Sequence, residues 1–206
     1  LIKTGVKTAP LGGDFTPVFR AILLVIMATT ISACGGQSVW APDEAVQKAR
    51  YDSPEPAYLM LKTMISNRTG SGGHAALTIN ASQTVMYDPA GRWTHPLGPE
   101  RNDVVFGMFP KLESNYDLWH ARDTHHVVNQ KIYVSDAVAE KALRLALAAG
   151  PSLDAQCTLN ISGLLLQLEG FSSLKRTYFP AKLMKEFAKL PSVQTTKVYD
   201  TDTGNN

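Results

Sequence analysis

The sequence predicts an α+β domain, an antiparallel sheet packed against helices, and three observations carry that expectation. Two short apolar runs, His74 to Asn80 and Thr84 to Asp88, are separated by three residues and bounded by Thr69-Gly70-Ser71-Gly72-Gly73 and Pro89-Ala90-Gly91, which is the signature of a β-hairpin. Later in the chain, Asp136 to Ala149 and the stretch ending at Gly170 carry leucine and alanine at helical spacing. No segment repeats at a fixed period.

The elements follow in order. Pro42 to Arg50 reads as a short helix with Pro42 at its first position, and Ser53 to Pro56 breaks the chain. Ala57 to Ser66 fits strand or helix by periodicity alone and is read as a strand because a hairpin follows at once. In that hairpin the turn centres on Ala81 and Ser82, and opposite residues sum to about 163, which sets His74 across from positions 88 to 90. From Gly91 to Asp123 the chain is rich in Pro, Gly, Asn and charge; the expectation is a long loop region with one strand at Val104 to Met108. Thr124 to Val134 is a further strand. Ser135 then caps a helix that Gly150-Pro151 stops. A second helix starts at Ser152 or Asp154 and presents Cys157, Ile161, Leu164, Leu165 and Leu168 on one buried face. Ser173 to Phe179 is expected as a strand, Pro180 to Leu190 as a helix, and Val193 to Tyr199 as a terminal strand.

Composition excludes several classes. The chain has 206 residues, two cysteines and a mean hydropathy of −0.10, so it is neither a disulfide-stapled mini-protein nor a polytopic membrane protein. Of its 20 Lys+Arg and 18 Asp+Glu, Lys3, Lys7, Arg20 and Asp14 precede Cys34, and the remainder carries 17 of each sign. The basic residues form no cluster interleaved with aromatics, which speaks against nucleic acid as a partner.

The N-terminal residues set the expected compartment. Arg20 is followed by the apolar run Ala21 to Met27 and then by small residues ending Ile31-Ser32-Ala33-Cys34. Basic region, apolar region and small-residue cleavage site stand in the order of a signal peptide. As a helix, the stretch from Ala21 to Ala33 would be about 20 Å long, short of the roughly 30 Å hydrocarbon core. The site resembles the lipobox of bacterial lipoproteins, which implies removal of residues 1–33, a lipid on Cys34 and anchorage to a membrane through it. An ordinary secretory leader with an incidental Cys34 is the alternative. Gly35 after the cysteine favours, by analogy with enterobacterial sorting, the outer membrane facing the periplasm. Residues 34–56 are expected as a tether and 57–206 as a single domain.

With Cys34 assigned to lipid, Cys157 is the one remaining thiol, in an oxidising compartment with no intramolecular partner. It is either a small buried hydrophobe or a nucleophile whose thiolate the helix N-terminus favours. A nucleophile needs a base, and a base needs a third group to orient it. His74, at the head of a strand after Gly72-Gly73, is the best placed of the five histidines, and the hairpin arithmetic sets Asp88 beside it. The alternatives are a solvent-exposed strand-end histidine and an Asp-Pro turn opener. His125 and His126 alternate across a strand, and with His120 they give no metal-binding pattern; no metal or other cofactor is implied. Trp93 is expected either to line a groove or to pack half-buried.

GGHAALTIN, a second strand ending YDPAG, and the later DAQCTLNISGLLLQL resemble the circularly permuted branch of the papain-like, NlpC-type superfamily, which includes lecithin retinol acyltransferase-like proteins. The resemblance spans about Tyr58 to Leu168 and implies Cys157 as nucleophile, His74 as base and Asp88 as orienting residue. Gln156 stands where that branch often has asparagine, and aspartate is uncommon as the third residue, so His95 is a rival to Asp88. The implied chemistry is acyl transfer through a thioester, with peptide or amide bonds of the cell wall favoured and acyl esters as runner-up. The competing class is a non-catalytic binding or structural lipoprotein. The enzyme reading expects an accessible thiol within about 4 Å of the imidazole; the competing one expects a buried thiol out of its reach.

Overall fold

The computed structural model describes residues 38–200, so the leader and Cys34 lie outside the described residues. Among the described residues the chain is mixed α+β, with seven strands in one antiparallel sheet and five helices. The strands are β1 (Tyr58–Ser66), β2 (Gly72–Asn80), β3 (Thr84–Tyr87), β4 (Glu100–Arg101), β5 (Val104–Phe106), β6 (His125–Tyr133) and β7 (Gln194–Val198). The helices are α1 (Asp43–Ala49), α2 (Pro110–His120), α3 (Asp136–Ala148), α4 (Cys157–Leu165) and α5 (Pro180–Phe187). The sheet order is β4-β5-β3-β2-β1-β6-β7, which leaves β1 and β2 central.

Both central strands are apolar on two faces, and each face has its own cover. Leu59, Leu61, Leu77, Ile79, Val85 and Phe106 pack with Leu143 of α3, Ile161 and Leu165 of α4 and Leu183 of α5. On the opposite face Met64, Ala76, Met86, Val105 and Val127 meet Leu112 and Tyr116 of α2. That second face also buries Lys62, fully inaccessible, whose Nζ lies 2.9 Å from Asp117 and 4.0 Å from Glu113. A buried ammonium persists only with such partners, so this cluster pins α2 to β1.

Four expectations are corrected. Helix α2 lies inside the segment read as loop: Pro110 occupies its first turn, and Leu112, Tyr116 and Trp119 recur at i, i+4 and i+7, a stripe that the surrounding polar residues dilute. Residues 173–179 form no strand; burial falls on Phe171, Leu174, Thr177 and Pro180, a period of three rather than two, and Ser162 of α4 holds the stretch by accepting the Thr177 N–H at 3.1 Å. The second long helix begins at Cys157, because Ala155 takes a left-handed φ of 62° that helix cannot continue through. The segment expected as a tether is docked from Val39 onward: Val39 accepts from Asn102, Ala41 donates to Glu100, Tyr51 accepts from Thr84, and Val46 packs on the core. Gly107 permits this approach, since a Cβ there would lie 2.2 Å from the Ala49 carbonyl oxygen.

The remaining ends match their expected positions within two residues, except that α4 stops at Leu165 rather than Gly170 and α5 at Phe187 rather than Leu190, and β4 adds a short strand to the segment expected to hold one. Ser135 caps α3 by accepting the Val138 N–H.

Candidate active site

The hairpin register explains how the site assembles. β3 pairs with β2 only from Leu77↔Tyr87 to Asn80↔Thr84, so opposite residues sum to 164 and pairing stops before His74. The chain turns away at Asp88-Pro89-Ala90-Gly91, where the Gly91 N–H donates to the Asp88 carbonyl at 2.9 Å and Ala90 has φ 57°. This is a type II turn with proline in its second position. A Cβ at Gly91 would lie 2.0 Å from the Asp88 carboxylate, so glycine is required there for the carboxylate to reach inward. The expected meeting of His74 and Asp88 occurs one register step from the arithmetic, with His74 Nε2 2.6 Å from Asp88 Oδ1.

Asp88 both opens a turn and engages the imidazole. It is 3% exposed, and the Tyr116 hydroxyl of α2 donates to the same Oδ1 at 2.9 Å, so the buried carboxylate is held from two sides. The imidazole keeps 19% of its surface exposed, while Gly72, expected to clear the approach to it, makes room instead for Pro180 and Ala181 at the start of α5. His120 of α2 stacks on the His74 ring, with centroids 6.0 Å apart and planes 15° off parallel. Its Nδ1 faces the Tyr116 carbonyl at 2.9 Å, and burial draws its pKa down to about 4, so it is a neutral plate against His74. Trp119 closes the outer edge of that plate, 4.6 Å from the His120 ring.

Cys157 enters from the other face of the sheet. It is the first residue of α4, and its thiol lies close enough to His74 and to the Ala75 N–H for both to favour its ionised form. The Thr158 hydroxyl lies 3.7 Å from Sγ. With Nε2 held by Asp88, Nδ1 is the nitrogen left for the thiol. Burial raises the Cys157 thiol, and the His74 hydrogen bond and charge, with the Thr158 and Ala75 donors, more than reverse this, leaving it lowered. For His74, burial disfavours the charged ring, but the Asp88 charge and hydrogen bond, followed by Cys157, bring its pKa up to about 10. Each group therefore favours the charged form of the other, thiolate for Cys157 and imidazolium for His74.

Helix α4 starts without a side-chain cap, because Gln156 makes none, so its first-turn N–H groups remain available to an oxyanion. The site thus joins one feature from each competing expectation: Cys157 is 7% exposed, yet its thiol interacts with the imidazole.

The other candidates lie elsewhere. His95 stacks on Trp93 at 5.8 Å and accepts the Leu97 N–H at Nδ1; Asp88, not His95, holds His74. Trp93 is buried, edge-on to Tyr116 at 5.3 Å, and lines no groove at the site. His126 stacks on Tyr199, while His125 hydrogen-bonds Thr124. Among the described residues no three His, Cys, Asp or Glu side chains form a group able to hold a metal. Sequence reasoning missed Tyr116 and weighed His120 only as a metal ligand beside His125 and His126; the i, i+4 spacing of Tyr116 and His120 after Pro110 is the signal that points to both.

No protein-family model, curated protein or solved structure matches the chain. None of the described helices is long and apolar enough to cross a membrane.

Proposed function

We propose that the protein is a lipid-anchored envelope hydrolase or acyltransferase that uses Cys157 as nucleophile, His74 as acid and base, and Asp88 as orienting group, in a circularly permuted papain-like arrangement. The observation that carries this reading is the hydrogen-bonded run Tyr116–Asp88–His74, with Cys157, the first residue of a helix, near enough to the imidazole for each to shift the other's protonation. A purely structural cysteine needs no imidazole, and a surface histidine needs no buried carboxylate.

The chemistry follows from the charges. The Cys157 thiolate attacks the carbonyl carbon of an amide, forming a C–S bond while the oxygen becomes an oxyanion near the free N–H groups of α4. The imidazolium of His74 gives its Nδ1 proton to the leaving nitrogen, the C–N bond breaks, and a thioester remains. His74, now neutral, takes a proton from water or another acceptor, whose oxygen or nitrogen attacks the thioester and restores the thiolate. Peptide bonds of the cell wall are the favoured substrates, and acyl esters the second choice.

Anchorage is proposed through lipid on Cys34, at the outer membrane facing the periplasm. Several acyl chains on one cysteine, each buried CH₂ contributing about 0.8 kcal/mol, hold a protein without a spanning helix. The 7% exposure of Cys157 favours a second reading, a non-catalytic binding module that retains the pair as a buried polar contact.

The test is covalent trapping. Incubation with a p-nitrophenyl ester should give a burst of p-nitrophenol and one acyl adduct on Cys157, released by hydroxylamine and absent in Cys157→Ala. An intact protein of unchanged mass after prolonged exposure, with no burst, would contradict the catalytic reading.

A further inference from the structure

A groove of about 540 Å³ lies beside α4, on the flank that begins at Gln156, the residue before the nucleophile. Its lining includes Asn160, Gly163 and Gln167 along α4, and Leu145 near the C-terminal end of α3 across from them. Arg176 is its single charged lining residue, and no carboxylate lines it. The guanidinium lies over Gly163 of that helix, its Nε 3.5 Å from where a Cβ would stand. Among the described residues Arg176 has neither a hydrogen-bond nor an ion-pair partner. By contrast, Lys141 on α3 hydrogen-bonds the Gln167 carbonyl, and Asn160 donates to Ser152 at 2.8 Å, so the groove's polar wall is internally fixed around one unpaired charge.

We infer that this groove takes the carboxylate of an acidic acyl substrate on Arg176, making the substrate class an amide or ester with a free carboxylate along the chain from its reacting carbonyl. The inference rests on Cys157 being the nucleophile. Six residues separate Cys157 from Gly163, a rise of about 9 Å at 1.5 Å per residue, which sets the spacing between reacting carbon and carboxylate. An extended peptide covers that span in about three residues. A guanidinium fits a carboxylate through two parallel N–H donors, and an unpaired arginine in a groove walled by apolar and amide side chains is suited to that geometry. An amino or quaternary ammonium group at the same place meets a like charge, so cationic substrates are disfavoured.

The test uses the full chain with Cys34→Ser, so that Cys157 is its sole thiol, and two alkylating probes of equal length, 6-(iodoacetamido)hexanoate and the corresponding neutral amide. Their reacting carbon and terminal group are about 9–10 Å apart when extended. The carboxylate probe should label Cys157 with saturation and about five to ten times faster than the amide. Arg176→Gln should equalise the two, and Arg176→Glu should invert the order, while plain iodoacetamide reacts equally in all three proteins. Equal rates for the two probes in the parent, or a preference that survives Arg176→Gln, would overturn the groove assignment while fast iodoacetamide labelling left the nucleophile standing. Slow iodoacetamide labelling of the parent at neutral pH would instead remove the nucleophile reading, and this inference with it.

Discussion

The two faces of the sheet are built from different chemistry, and the candidate site exists because it draws on both. One face is an apolar layer in which leucines and alanines of α3 and α4, with Leu183 and Phe187 of α5, cover Leu59, Leu61, Leu77 and Ile79, and it delivers a single polar actor, Cys157. The other is a mixed layer in which α2 brings Tyr116 and His120 to the imidazole and is held down by the buried Lys62–Asp117 pair. Burial alone suffices to place the thiol, whereas orienting the imidazole takes directional bonds that must all be satisfied. The difference predicts that damage to the first face lowers stability without regard to pH, while damage to the second is electrostatic and pH-dependent.

The largest effect should come from Lys62→Ala. It leaves Asp117 and Glu113 without their cation, and urea unfolding at neutral pH should show a loss of about 3–5 kcal/mol. Burial already raises the Glu113 carboxyl, so it protonates early on acidification and the loss should shrink below neutrality. Leu143→Ala, from the apolar layer, should cost about 2–5 kcal/mol at every pH. A Lys62→Ala deficit that did not change with pH would dissolve the distinction between the faces.

Gly91→Ala ranks next. Its methyl group would displace the Asp88 carboxylate, so Cys157 alkylation at pH 7 should fall about tenfold or more while the apolar layer is untouched. Tyr116→Phe removes one donor to Asp88, for a loss of about 1.5–3 kcal/mol. The carboxylate then rests more heavily on His74, whose titration should move above about 10. The smallest effect is Ala90→Gly, which relieves a φ of 57° and should leave stability within about 1 kcal/mol of the parent.

The same contrast separates what was legible in the sequence from what was not. The apolar face follows from hydrophobic spacing, and the hairpin register, with a sum of 164, falls within the expected span of positions 88 to 90, although Asp88 reaches His74 from the turn beyond the last paired residue. Helix α2 escapes a sequence reading because Glu113, Asp117 and His120 dilute its stripe: the very residues that anchor it to Lys62 and the site make it read as a solvated loop. Lys62 was invisible for the converse reason, since a lysine among eight mostly apolar strand residues gives no sign of its partners 51 and 55 positions away. Arg176, exposed in a stretch read as strand, gives no sign in the sequence of the groove along α4 that it lines.

The claim at the centre of this account is that Cys157 and His74 form a thiolate–imidazolium pair. The direct measurement is the rate of Cys157 alkylation by iodoacetamide against pH, on the Cys34→Ser chain and on the same chain with His74→Gln. Such a pair predicts a reaction that is already fast below pH 8, holds a plateau, and changes again only as His74 loses its proton near 10. In His74→Gln the plateau should vanish and reactivity appear only in the ordinary thiol range. Labelling that is slow in the folded parent, emerges only on denaturation and is the same in the variant would show a buried structural cysteine and contradict the account.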